Sequence, residues 1–175
     1  MVIETGIMSK EYAADTTNVM LSDLALERNP RYKIKNQRVL WIIYTCACFV
    51  IFLSTLSACI MYKSIYMAVC ACIVALCFFV GVAFIRKSVL LMNQLSSLNR
   101  KVTYTFSAEG IEYDSKGTHK VTFYWDYFQA VRVYGAGVYF IPKKKGTSIL
   151  GMPVEYEYDV RAYIEENNIP LEFYQ

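Results

Sequence analysis

The sequence predicts a membrane α-helical hairpin joined to an α+β domain, in which an antiparallel sheet curled into a half-barrel is capped by a C-terminal helix. Three observations carry that reading. Two long stretches between Val39 and Ile85 hold no charged residue apart from Lys63 in the turn between them. After residue 101 the apolar pattern changes from helical to alternating, and after Pro153 it returns to helical. The 55% hydrophobic content is unevenly spread: all six cysteines and the longest apolar runs fall inside the hairpin, which excludes a disulfide scaffold, a collagen-like chain and a disordered chain. With 18 Lys and Arg against 15 Asp and Glu, the net charge of +3 is too small to argue for a nucleic-acid partner.

Residues 1–38 read as an N-terminal cytoplasmic arm. An apolar start (Val2, Ile3, Ile7, Met8) precedes Asp15-Thr16-Thr17, which can cap a helix carrying Val19, Met20, Leu21, Leu24 and Leu26 until Asn29-Pro30 ends it. The stretch from Arg31 to Arg38 is basic and able to hold anionic headgroups at about 1 kcal/mol per cation near a membrane surface. Glu4, Glu11, Asp15, Asp23 and Glu27 in this arm do not fit a cleavable leader.

Residues 39–85 form the hairpin. Val39–Met61 is uncharged over 23 positions and Ile65–Ile85 over 21, so as helices they span roughly 35 and 32 Å at about 1.5 Å per residue. With only Tyr62, Lys63 and Ser64 between them, the helices must be antiparallel neighbours. Arg28, Arg31, Lys33, Lys35 and Arg38 precede the first span, and Arg86, Lys87, Arg100 and Lys101 follow the second, against Lys63 alone in the turn. That asymmetry places both termini in the cytoplasm. Cys46 with Cys48 and Cys70 with Cys72 are C-x-C pairs, but residues two apart on a helix point about 200° apart, so neither pair forms a metal clip. Ser54, Ser57 and Ala58, with Ala68, Ala71, Ala75 and Gly81, are small enough for close helix packing.

Residues 86–100 continue as a juxtamembrane helix with Val89, Leu90, Leu91, Leu95 and Leu98 on its apolar stripe. Residues 101–175 then form the sheet domain. Val102, Tyr104 and Phe106 alternate with Thr103, Thr105 and Ser107 as a half-buried strand, and Glu109-Gly110 turns into Ile111 and Tyr113. After a turn at Ser115-Lys116-Gly117 come Val121–Phe128, Ala130–Tyr134, the reversal Gly135-Ala136-Gly137, Val138–Ile141 and a short strand Thr147–Leu150. From Pro153 to Asn167-Asn168 the pattern is an amphipathic helix that covers the open end of the sheet.

The string from Tyr104 to Ile111, Trp125 on the third strand and Ile141-Pro142-Lys143 resemble the YcxB-like family. That resemblance implies two transmembrane helices followed by a pleckstrin-homology-like domain over residues 101–175. It carries over no established activity, only that fold. The three lysines and glycine after Pro142 depart from the family pattern.

The residues offer no catalytic constellation. His119 is the one histidine and lies in an apparent turn, no cysteine follows Cys77, and neither a G-x-x-x-x-G-K-[ST] loop nor a G-x-G-x-x-G occurs. Glu155, Glu157 and Asp159 alternate without the glycine and bidentate Glu of a calcium loop. No cofactor or metal is expected. Two features suggest contact. Lys143, Lys144 and Lys145, joined in space by Lys120 and Arg132, could meet anionic lipid headgroups. Tyr124, Trp125, Tyr127, Phe128, Tyr134, Tyr139 and Phe140 exceed what a domain of 75 residues can bury, so some should be exposed for a protein partner. The reading is a non-enzymatic, membrane-anchored binding or scaffolding module. The alternative is an accessory subunit that joins a larger membrane complex through its hairpin.

Overall fold

The computed structural model describes residues 1–6, 9–63, 65–97, 101–115, 119–144 and 148–175, with the side chains of residues 96, 97 and 119 left out of account. Ile7, Met8, Ser64, Leu98, Arg100, the turn residues Lys116 and Gly117, Lys145 and Thr147 lie outside the described residues. The chain divides into two units, one of Lys35–Leu91 and one of Met1–Ile34 with Met92–Gln175.

The first unit is the hairpin. Helices α3 (Gln37–Tyr62) and α4 (Ile65–Ser97) agree with the expected spans to within two residues at their facing ends, and α4 runs on without a break to Ser97, inside the expected juxtamembrane helix. Asn36 caps α3 by accepting the Val39 N–H at 3.2 Å. Lys63 closes it in the left-handed region (φ 46°), its N–H donating to the Cys59 carbonyl at 2.9 Å. The antiparallel pairing is written in three facing contacts. Trp41 stacks on Phe84 at 4.1 Å, Phe49 meets Phe78 at 5.7 Å, and between them a Cβ at Gly81 would overlap the Thr45 hydroxyl. A residue without a side chain is what lets the helices approach there. Thr45, Ser54 and Thr55 return their hydroxyls to carbonyls of their own helix, which removes lone donors from an apolar surround. Both helices are long and apolar enough to cross a membrane, and in each only 11% of the most apolar window is buried, whereas a core helix of a soluble protein would be mostly covered.

The second unit is α+β. Strands β1 (Val2–Thr5), β2 (Val102–Phe106), β3 (Gly110–Ser115) and β4 (His119–Tyr124) form one antiparallel sheet in that order. The other sheet has the order β7 (Leu150–Pro153), β6 (Gly137–Pro142), β5 (Phe128–Tyr134), β8 (Glu172–Tyr174), with β8 parallel to β5 and the rest antiparallel. Helix α5 (Glu157–Glu166) packs Val160 and Ile164 into the shared core with Phe106, Phe128 and Phe140.

Four expectations are corrected here. The first 34 residues are not a separate arm. Val2–Thr5 pairs with β2, from Val2 opposite Thr105 to Thr5 opposite Val102, and helices α1 (Lys10–Leu21) and α2 (Asp23–Arg28) carry Tyr12, Val19 and Leu26 onto Tyr139 and Ile141 of the second sheet. The cap of α1 is Ser9, whose hydroxyl accepts the Tyr12 N–H at 3.1 Å. Asp15 instead reaches across to accept the Ala136 N–H at 2.9 Å. The aromatic run Val121–Phe128 is not one strand: β3 starts at Gly110, which pairs with Tyr124, and past that register only the Trp125 N–H still reaches back, donating to Glu109 O at 3.2 Å. The chain turns a corner through a 3-10 turn at Trp125–Tyr127 into the other sheet, with Trp125 Nε1 donating to Ser107 O at 3.0 Å. The last strand before the helix is Leu150–Pro153 rather than Thr147–Leu150, and a 3-10 turn at Val154–Tyr156 delays α5 to Glu157.

The aromatic surplus also resolves differently. Of the seven residues expected in part at the surface, only Tyr124 is exposed, while Phe128, Tyr139 and Phe140 are fully buried. The reason is the N-terminal segment: α1 and α2 build a second core on the far face of sheet β7-β6-β5-β8, so the unit has two buried layers instead of one.

Candidate functional site

Of the five cations expected to act together, the described ones fall in three places. Lys143 and Lys144 are exposed just past β6, with the Lys143 N–H donating to Tyr127 O at 2.9 Å, and Lys145 lies outside the described residues. Lys120 sits on the other sheet, near the opposite end of β4, and its ammonium is 2.8 Å from the Glu112 carboxylate, which raises its pKa. Arg132 is in the middle of β5, in register with Tyr139 on one side and Tyr174 on the other, and only 6% exposed. Burial lowers its pKa, and its Nε has no partner among the described residues. Arg132 therefore belongs to the interior beneath the N-terminal helices and contributes nothing to a surface shared with Lys143.

A pocket that the sequence did not announce is better built. On the inner face of sheet β1-β2-β3-β4, Tyr104, Tyr113 and Val121 stand in one cross-strand row, and Phe123 lies in the next. Tyr12, Thr16 and Met20 recur every four residues along α1, so one stripe of that helix faces this row. Ser148, Ile149, Leu150 and Gly151 close a third side as they enter β7, and Leu95 of the final turns of α4 completes the wall. The cavity measures about 270 Å³. None of the described residues that line it carries a charge.

The hydroxyls around it form a connected cluster. Tyr104 Oη donates to Gly151 O at 2.7 Å, Thr16 Oγ1 lies 3.1 Å from Tyr139 Oη, and Tyr12 is hydrogen-bonded to Thr16. The Tyr12 and Tyr139 rings stack at 6.2 Å with 7° between their planes. Gly151 is required by this closeness, since a Cβ there would stand 2.8 Å from Tyr12 Oη and 2.9 Å from the Tyr139 ring. Burial pushes the phenols of Tyr12, Tyr104 and Tyr139 above the ordinary tyrosine range, with the Thr16 hydrogen bond opposing it in part at Tyr12 and Tyr139. All three stay neutral at physiological pH, and the pocket is an uncharged space with hydroxyls on one side.

The sequence did carry one trace of it. Tyr104 and Tyr113 occupy inward positions of alternating strands where aliphatic residues are commonest, and phenols placed inside need polar partners. Nothing in the spacing told that the partner of Tyr104 would be the Gly151 carbonyl, 47 positions away, or that Tyr12 and Thr16 would line the same pocket. A second, more open groove of about 700 Å³ runs beside β8. Its Arg31 lies over the Tyr174 ring at 5.3 Å, and its Arg161 lies over Phe173 at 4.2 Å and pairs with Glu157 at 3.1 Å. The cations of that groove are engaged with rings and a carboxylate. Among the described residues, no group of three His, Cys, Asp or Glu side chains is placed to hold a metal ion. Comparison with known proteins supplies no family for this chain: no family model, no curated protein and no solved structure matches it.

Proposed function

We propose that this chain is a membrane-anchored, non-enzymatic binding module, with the α3–α4 hairpin as anchor and the α+β unit as the part that binds, both termini lying at the cytoplasmic face of the plasma membrane. The observation that carries the anchor is the exposure of two helices whose apolar windows are only 11% buried, a state that water would penalise and a bilayer satisfies. Sidedness rests on nine cations flanking the outer ends of the spans against Lys63 in the turn. The binding role rests on the pocket: neutral, raised phenols are poor proton donors and acceptors for catalysis at pH 7, but they suit recognition. Two four-stranded sheets with α5 packed into the core are compatible with a pleckstrin-homology-like fold and a YcxB-like membership, which we put forward on the resemblance of Tyr104–Ile111, Trp125 and Ile141-Pro142-Lys143.

Against the accessory-subunit reading, Gly81 and Ala71 are used inside the hairpin itself rather than left as an outward packing seam. Extraction of membranes with alkaline carbonate, followed by protease treatment of sealed vesicles, tests the anchor. Retention in the pellet with the α+β unit digested only from the cytoplasmic side is expected. Release into the carbonate supernatant would overturn it.

A further inference from the structure

The pocket between α1, the inner face of β2-β3-β4 and the Ser148–Gly151 segment has properties that select a ligand class. Its lining is mostly hydrocarbon: Met20, Leu95, Val121, Phe123, Ile149 and Leu150. An ionised group placed inside would meet no opposite charge among the described lining residues and would lose its hydration, a penalty of several kcal/mol or more. A wholly apolar molecule would leave the hydroxyl side facing hydrocarbon, although those phenols are donors and acceptors with capacity beyond the bonds they already make. Both ends of this comparison favour a chain with one uncharged oxygen.

Size narrows it further. At about 270 Å³ the cavity exceeds the roughly 150 Å³ that accepts benzene and falls just short of the roughly 300 Å³ at which pockets for larger ligands begin. That is room for a segment of about ten heavy atoms. The entrance is marked by two lining residues that remain solvent-exposed, Val121 at 43% and Ser148.

We infer that this pocket binds a single alkyl chain of about ten atoms bearing an uncharged oxygen, a hydroxyl or an ester, with the oxygen toward Tyr12, Tyr104 and Thr16 and the hydrocarbon along Val121, Phe123 and Leu95. The inference rests on the binding-module reading above and gives its ligand chemistry. Such a chain is a free alcohol or simple ester: a phospholipid held with its ester at the buried phenols would have to bring its glycerol and charged headgroup into the closed end, where a cavity of this size has no room for them.

The test uses the full chain in phosphatidylcholine nanodiscs and three photoreactive diazirine probes: a ten-carbon alcohol, the matching carboxylate, and a phosphatidylcholine labelled in one acyl chain. Adducts are mapped by peptide mass spectrometry. The alcohol should label peptides containing Met20, Tyr113 or Phe123 at least tenfold more than the carboxylate at pH 8. Val121→Trp and Ser148→Phe, which plug the entrance from exposed positions, should each reduce that labelling at least tenfold while leaving the thermal melt in place. Pocket labelling by the alcohol and not by the lipid probe is expected, and pocket labelling by the lipid probe at the level of the alcohol overturns the stated orientation and ligand class. The hairpin peptides serve as the internal reference. Hairpin labelling without pocket labelling, equal labelling by the carboxylate, or labelling indifferent to both plugs overturns the inference and leaves the anchor intact. Absence of lipid-probe adducts on the hairpin overturns the anchor instead.

Discussion

The hairpin and the α+β unit are held together by opposite means. The hairpin is local: every backbone bond of α3 and α4 stays within its own helix, the two helices are joined by a tight turn, and their contacts pair Trp41 with Phe84 and Thr45 with Gly81 in a simple antiparallel series. The α+β unit is assembled from two stretches of chain that the hairpin separates, with β1 hydrogen-bonded to β2 about a hundred residues away and Asp15 holding the turn at Ala136. One unit could be shortened or exchanged without altering its logic. The other depends on its first 34 residues, because they supply an edge strand and an entire second core layer. Gln129 shows the dependence in miniature: from a bulge in β5 its amide donates to the carbonyls of Leu26 and Glu27, at the end of α2, and to Pro142 on the neighbouring strand.

That contrast can be broken most severely by removing residues 1–34. Tyr12, Val19, Leu26, Ile3 and Ile34 are each buried, at about 1.5–3 kcal/mol apiece, so the deletion should cost on the order of 10 kcal/mol and abolish cooperative melting of the α+β unit. Membrane insertion of the hairpin should survive the deletion, as carbonate extraction would show. A smaller break is Gly135→Val. Gly135 has φ +53°, and a Cβ there would run into the Asp15 carboxylate, so backbone strain and loss of the Asp15–Ala136 hydrogen bond together should cost about 3 kcal/mol and lower the melting temperature by more than 10 °C. Gly81→Leu is the matched change in the other unit, and it should leave that melt unchanged.

Alkaline pH sharpens the comparison because the buried phenols all belong to the α+β unit. Tyr12, Tyr104 and Tyr139 have raised pKa values through burial, so the folded state keeps protons that the unfolded state releases from about pH 10. Their contribution is whole below that pH and is lost as pH climbs through it, at about 1.4 kcal/mol per pH unit for each phenol. Melting temperature should be flat from pH 7 to 9 and fall steeply above 10, and Tyr139→Phe should shallow the fall.

Arg132→Met makes a finer test of the second core. A buried guanidinium whose Nε has no partner among the described residues is a cost to the fold, and an apolar side chain of similar length should hold or raise stability by about 1 kcal/mol, read by chemical denaturation. Lys120→Gln removes a solvent-screened ion pair with Glu112 and should shift the thermal melt by no measurable amount.

How much of this was legible follows the same division. The uncharged runs Val39–Met61 and Ile65–Ile85 were sufficient to place both helices, since helix formation and apolar length are properties of adjacent residues. Alternation likewise marked β2, β3, β5 and β6 near their true bounds, and Gly135-Ala136-Gly137 marked the reversal. By itself the sequence determined the two long apolar helices, the strands β2, β3, β5 and β6 and the existence of the C-terminal helix. Tertiary structure decided that Val2–Thr5 is a strand, that Glu172–Tyr174 joins β5 in parallel, that Arg132 is interior, and that Tyr12 and Thr16 meet Tyr104 and Gly151 around one cavity. Those outcomes depend on which distant surface becomes available to cover an apolar face, and burial is a property of the folded neighbourhood that no local period records.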